Sequence, residues 1–152
     1  MLFRSVEKVE AFILDSTNKG GKIALGGSRH ALGSTFFEPT VITDANSDMN
    51  FATNEIFGPI AAVFKFETED EVVSAANATE FGLAAYVYTR DVGRIFRLND
   101  SLDYGLIGFN SGLITTVEVP FGGLKESGLG SEGGSQGLQD YLETNSICIA
   151  GL

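Results

Sequence analysis

The chain has 152 residues, 43% of them apolar and 20% charged. That balance suits a core-forming protein able to bury about 70% of its unfolded surface, and it fits neither a disordered segment nor a coiled coil. Twenty acidic against ten basic side chains give a formal net charge of −10, which argues against binding nucleic-acid phosphates or anionic membrane through Lys and Arg.

Val6, Val9 and Ile13 recur at three- and four-residue spacing among Glu7, Lys8 and Glu10, which predicts an amphipathic helix. Gly20-Gly21 stops it. Lys22 to Leu25 reads as a short strand closed by Gly26-Gly27, and Phe36 to Thr43 as a second extended segment held open by Pro39. Ile60 to Phe66 is almost continuously apolar, the pattern of a strand buried on both faces. Thr68 and Glu71 have the spacing of a capping box ahead of a helix over 71–78, with Val72, Val73 and Ala76 inward. A strand over 84–89, a helix marked by Val92, Ile95, Phe96 and Leu102, and a strand over 106–109 follow. Strand and helix alternate from 60 to 109, which predicts an α/β fold with an open sheet and crossover connections.

Ten of the 19 glycines then fall between Gly105 and Gly137. Ordering so many is costly, so they serve either close backbone approach to a ligand or tight packing between elements. The tail, Tyr141 to Ile149, returns to β-prone residues. No internal repeat or low-complexity linker interrupts the chain.

No stretch approaches the roughly 20 apolar residues of a membrane-spanning helix, and charges follow the short apolar start too soon for a secretory signal. One cysteine, Cys148, forms no intrachain disulfide and fits a reducing compartment. A cytoplasmic location is the default, with a mitochondrial one open if an N-terminal segment is missing. The sequons at Asn77 and Asn99 are then chance matches.

Several motifs fail on context. Gly128 to Gly133 spells G-x-G-x-x-G, but a phosphate cradle needs a strand before it, a helix after it and an acid about 20 residues on. An unrelated nucleotide-binding domain built on that loop is the weakest reading. Gly133 to Gly137 spells a nucleophile elbow, yet the only histidine, His30, lies upstream and reads as a surface residue. One His and one Cys do not make a conventional zinc site, so no metal is expected. Cys148 between Ile147 and Ile149 reads as a packing residue, and Glu69 with Asp70 as a solvated helix start.

Two segments carry a resemblance. Glu55-Ile56-Phe57-Gly58-Pro59 is similar to the E-x-F-G-P motif of the aldehyde dehydrogenase superfamily. Pro120-Phe121-Gly122-Gly123, with Lys125, Ser127, Gly128, Gly130 and Glu132, resembles its P-F-G-G-x-K-x-S-G-x-G-x-E signature. Glu80 to Ala85 and Gly105 to Asn110 match between them, so the resemblance runs from Val6 to Leu152. The tail and the Gly112-Leu113-Ile114 stretch look most like succinate-semialdehyde dehydrogenases. Met1 to Ser5 continues the pattern poorly.

The resemblance implies oxidation of an aldehyde, succinate semialdehyde first, to the carboxylic acid with NAD or NADP as acceptor. It implies that the chain is a C-terminal portion, incomplete relative to the family fold, whose nucleophilic cysteine and general base lie upstream. Residues 1–140 then form part of the catalytic domain, with a glycine-rich loop at 120–137. Residues 141–152 form a strand that pairs with a neighbouring subunit of a homo-oligomer.

The resemblance also implies a role for each matched position, as follows. Glu55 binds the nicotinamide ribose hydroxyls, which a carboxylate accepts as a pair, and Phe57 flanks the nicotinamide. Phe121 lines the aldehyde tunnel, Thr115 holds the distal carboxylate of a semialdehyde, and Glu132 helps relay protons. Lys125 and Asn110 are structural. Asn54 stands where a second glutamate is common, and Ser131 where arginine is usual. The alternative reading is a non-catalytic interaction or oligomerisation module that keeps the fold.

Overall fold

Five side chains on one stripe of the first helix, α1 (Phe3–Asn18), disappear from solvent: Val6, Val9, Phe12, Ile13 and Ser16. The computed structural model describes residues 3–33 and 35–151. Met1, Leu2 and the last residue of the predicted tail strand, Leu152, lie outside them. The helix ends as its glycines predict. Gly20 takes φ +94°, its N–H donates to the Thr17 carbonyl, and the Gly21 N–H donates to Ser16 at 2.8 Å, the two crossed bonds of a glycine C-cap.

The chain divides into two compact units, Met1–Glu67 and Thr68–Leu152. In the first, β1 (Lys22–Leu25) pairs antiparallel with β2 (Thr40–Ala45), which pairs parallel with β3 (Ile60–Phe64). Ile42 on β2 and Met49 after it meet α1 in one core, joined by Phe37 and Phe51. The predicted segment over 36–43 becomes a strand only from Thr40. Pro39 has no N–H to give, and the ladder opens with Thr40 donating to the Pro59 carbonyl at 2.8 Å. Predicted burial of both faces of β3 is not found. Only its Ile60 and Ala62 side packs on the core, whereas Val63 on the other side is 48% exposed. The core built with α1 covers one face of this three-stranded sheet, so β3 has one covered face.

In the second unit the Thr68 hydroxyl accepts from the Glu71 N–H at 3.2 Å, so α2 starts at the cap and runs Glu69–Asn77 rather than from 71. Strand β4 (Phe81–Gly82) and strand β5 (Ala84–Val87) follow. Asp91 then caps α3 (Val92–Ser101) through the Arg94 N–H, and α3 leads to β6 (Leu106–Phe109), parallel to β5 in register Ala84↔Leu106. That β–α–β crossover is the predicted one, whereas β3 lies in a separate sheet, so the open sheet expected across 60–109 is interrupted after β3. A two-residue strand β7 (Leu124–Lys125) pairs antiparallel with β4, so the described strands form three sheets. On α3 it is Leu98 that is buried, while Val92 and Phe96 stay largely exposed. Ile95, Leu98 and Leu102 share the covered side, and Phe96 is one residue round from it.

Polar side chains tie α2 to α3. Asn77 donates to the Ser101 carbonyl at 2.7 Å and accepts from the Asp103 N–H at 3.0 Å, so the first sequon asparagine is committed to the fold. Glu69 is not a merely solvated helix start. Its carboxylate accepts from Arg94 at 2.8 Å and from Arg97 at 2.8 and 3.0 Å. The Arg97 and Arg94 hydrogen bonds hold its carboxyl at about 2, far below its ordinary value. A carboxyl depressed on folding stabilises above its unfolded pKa and stops doing so as pH falls through the folded one. The thermal stability gap between the wild type and Glu69→Gln, followed by circular dichroism, should therefore be steady above about pH 5 and close toward pH 2.

Candidate functional site

The turn between β2 and β3 carries the two predicted coenzyme residues. Phe57 adopts φ +49°, in the left-handed region, and its ring is 78% exposed. Such a backbone is uncommon for a bulky residue and costs on the order of 1–3 kcal/mol, so the surrounding turn must hold it. It does so through its ends. Lys8 of α1 donates from Nζ to the Glu55 carbonyl at 2.5 Å, and Gly58 lies so close to α1 that a Cβ there would stand 2.5 Å from Val9 Cγ2. The backbone of Glu55 is thus anchored, and its exposed carboxylate has no partner among the described residues. Asn54 turns back on the preceding turn, donating to the Asn50 carbonyl at 2.9 Å.

In the Thr68–Leu152 unit the glycine-rich segment folds into a tight loop. Phe121 and Glu132 form an isolated antiparallel bridge, with N–H to carbonyl bonds of 2.7 and 2.8 Å in the two directions. Two hollows adjoin it. One, of about 440 Å³, is lined by Thr115, Thr116, Val117, Val119, Phe121 and Glu132. The other, of about 220 Å³, has Phe121, Glu132, Leu83, Asp140 and Tyr141 among its walls. The fold therefore gathers Thr115, Phe121 and Glu132, three predicted site residues, around one bridge. Phe121 is half-buried, and Thr115 and Glu132 are exposed.

Several glycines at and around this loop serve close packing. A Cβ at Gly105 would stand 1.9 Å from the Gly122 oxygen, and one at Gly122 would stand 2.7 Å from the Gly130 oxygen. The G-x-G-x-x-G run has only the two-residue β7 before it and a six-residue 3-10 helix, Gln136–Tyr141, after it, so it lacks the frame of a dinucleotide cradle. Lys125 and Asn110 are structural as expected. Lys125, at φ +55°, donates to the carbonyls of Asn77 and Thr79 and lies over the Tyr104 ring. Asn110, at φ +56°, exchanges two hydrogen bonds with the Thr89 backbone.

Two expectations need correction, and one residue has to be added. Cys148 is exposed rather than packed. No strand is assigned over 142–151, where the tail makes no ladder within the chain. Sequence reasoning missed Asp140, which accepts the Ser131 N–H at 2.8 Å. Its only signal was an acid eight residues after Glu132, too weak to single out.

The family model for the aldehyde dehydrogenase family matches residues 3–147. A 3-sulfolactaldehyde dehydrogenase of Pseudomonas putida is 51% identical over 97% of this chain and 30% of its own length. The crystal structure of a succinate-semialdehyde dehydrogenase from Burkholderia pseudomallei superposes with a TM-score of 0.89 at 53% identity, over 91% of this chain and 29% of that one. An aldehyde dehydrogenase from Bacillus cereus, solved as its NAD+ complex, gives 0.86 at 36% identity, over 92% and 28%. The chain spans about 30% of the length of the relatives it matches.

Proposed function

Because the chain belongs to the aldehyde dehydrogenase family, we propose that it is the C-terminal segment of an NAD(P)-dependent enzyme oxidising an aldehyde with a distal anionic group, succinate semialdehyde foremost. The observation that carries this reading is the gathering of Thr115, Phe121 and Glu132 around one bridge. The names of two relatives add to it, since both describe aldehydes ending in an acid group.

The residues present fit the coenzyme. An unpartnered carboxylate at Glu55 can accept from two vicinal ribose hydroxyls, and the exposed Phe57 ring offers a flat apolar face to a nicotinamide. When bound, the coenzyme supplies the hydride acceptor. Phe121 and the Val117 and Val119 side chains exclude water from the aldehyde, Thr115 donates to its distal anion, and Glu132 passes a proton outward. The attacking thiolate and the general base come from outside these 152 residues.

The exposed apolar surface agrees with a segment that needs covering. The chain exposes 10868 Å², whereas even two separate compact bodies sharing its mass would expose about 9,000 Å². Leu113, Val117 and Leu129 of the site loop and Ile147 and Ile149 of the tail are among the exposed side chains. The tail then finds its ladder partner in a neighbouring subunit, as an added edge strand.

The test is a chimera in which these residues replace the matched segment of the Burkholderia pseudomallei enzyme. Glu55→Gln should raise the coenzyme KM about tenfold or more, the cost of weakening a charge-assisted hydrogen bond. Thr115→Val should raise KM for succinate semialdehyde about tenfold and leave that for an uncharged aldehyde of similar length unchanged. Equal effects on both aldehydes would remove Thr115 from anion recognition.

A further inference from the structure

We propose that Asp140 is a positioning residue that fixes the backbone carrying Glu132 by gripping the N–H of the residue before it. Asp140 belongs to the 3-10 helix Gln136–Tyr141, and its Oδ2 accepts from Ser131 at 2.8 Å. Two glycines allow that approach. Gly130 takes φ +79°, and a Cβ there would stand 2.4 Å from the same Oδ2. Gly137, one turn before Asp140, sits where a Cβ would be 3.3 Å from the Glu132 carbonyl carbon and 3.4 Å from the Ser131 oxygen. The helix carrying Asp140 thus lies directly against the backbone of 131 and 132.

Glu132 is held on its other side by Phe121, which takes both its N–H and its carbonyl. Between Phe121 and Asp140, the backbone on either side of the Glu132 Cα is tethered. Its carboxylate has no hydrogen bond among the described residues, and Glu132 and Asp140 both line the 220 Å³ hollow. The two acids therefore divide the work. Asp140 spends its charge on a backbone amide, where a charge-assisted bond is stronger than a neutral one, and Glu132 keeps an exposed carboxylate on a tethered backbone. The functional meaning rests on the reading of Glu132 as a proton carrier, but the tether does not.

Amide hydrogen exchange by NMR on the full 152-residue chain tests it. In the wild type the Ser131 amide should exchange at least tenfold more slowly than that of Gly128, whose N–H meets no acceptor among the described residues. Asp140→Ala should lower Ser131 protection at least tenfold and move the Glu132 amide resonance, with the β6 amides 106–109 unchanged. Asp140→Asn, which keeps an acceptor oxygen at the same reach, should restore an intermediate protection. An unprotected Ser131 in the wild type, or protection unaltered by Asp140→Ala, would overturn the proposal. So would a loss spread equally over β6, since Asp140 would then support the fold and not this one tether. None of these readings involves coenzyme or aldehyde, so a chimera without turnover would sink the dehydrogenase assignment and leave them standing.

Discussion

Gly105→Ala should cost the Thr68–Leu152 unit about 3 kcal/mol and lower its melting midpoint by on the order of 10 °C. The added methyl would lie 1.9 Å from the Gly122 carbonyl oxygen. Backbone cannot rotate aside as a side chain can, so β6 and the loop before β7 must part. Gly112→Ala is the matched control. Its methyl would meet only the Tyr88 hydroxyl at 3.6 Å, so the change should be neutral, or stabilising by about 0.5 kcal/mol through reduced freedom of the unfolded chain. Differential scanning calorimetry of the two variants separates them. Equal midpoints would mean that Gly105 and Gly122 are not in contact.

Gly58→Ala should be the most damaging single methyl for activity. At that position a Cβ would stand 2.5 Å from Val9 Cγ2, and Val9 is fully buried on α1. The β-branched valine has few rotamers to offer, so the turn from Glu55 to Pro59 must move instead. Stability should fall by about 2 kcal/mol. In the chimera kcat/KM should fall about 100-fold, because a displacement near 1 Å misplaces both Glu55 and Phe57. Adding Val9→Ala should recover much of the activity, since it vacates the space the new methyl needs, and the pair should be clearly non-additive.

Both predictions concern contacts between residues far apart in sequence, and that is where sequence reading ran out. Val6, Val9 and Ile13 announced α1, and Gly20 announced its end, because periodicity and caps are local. Thr68 marked the start of α2 for the same reason, although the helix begins at Glu69. The crossover from β5 through α3 to β6 followed from simple alternation. By contrast, the exposed face of β3 depends on which strands and helices lie beside it, and an apolar run such as Ile60 to Phe66 carries no record of that. The site divides in the same way. The family resemblance, and not periodicity, brought Glu55, Phe57, Thr115, Phe121 and Glu132 to notice. Only the positive φ of Gly130 and the close approach of Gly137 put Asp140 under Ser131. The glycines stand out in the sequence as a cluster, but only the close approach of Gly105 to the Gly122 oxygen speaks for packing there.

We propose that this chain supplies coenzyme- and aldehyde-contacting residues to an aldehyde dehydrogenase. Turnover of the chimera with succinate semialdehyde, followed by the absorbance of the reduced coenzyme, tests it most directly. Activity within about tenfold of the parent enzyme is the expected result. A soluble, correctly assembled chimera that binds coenzyme but yields no reduced coenzyme would contradict it.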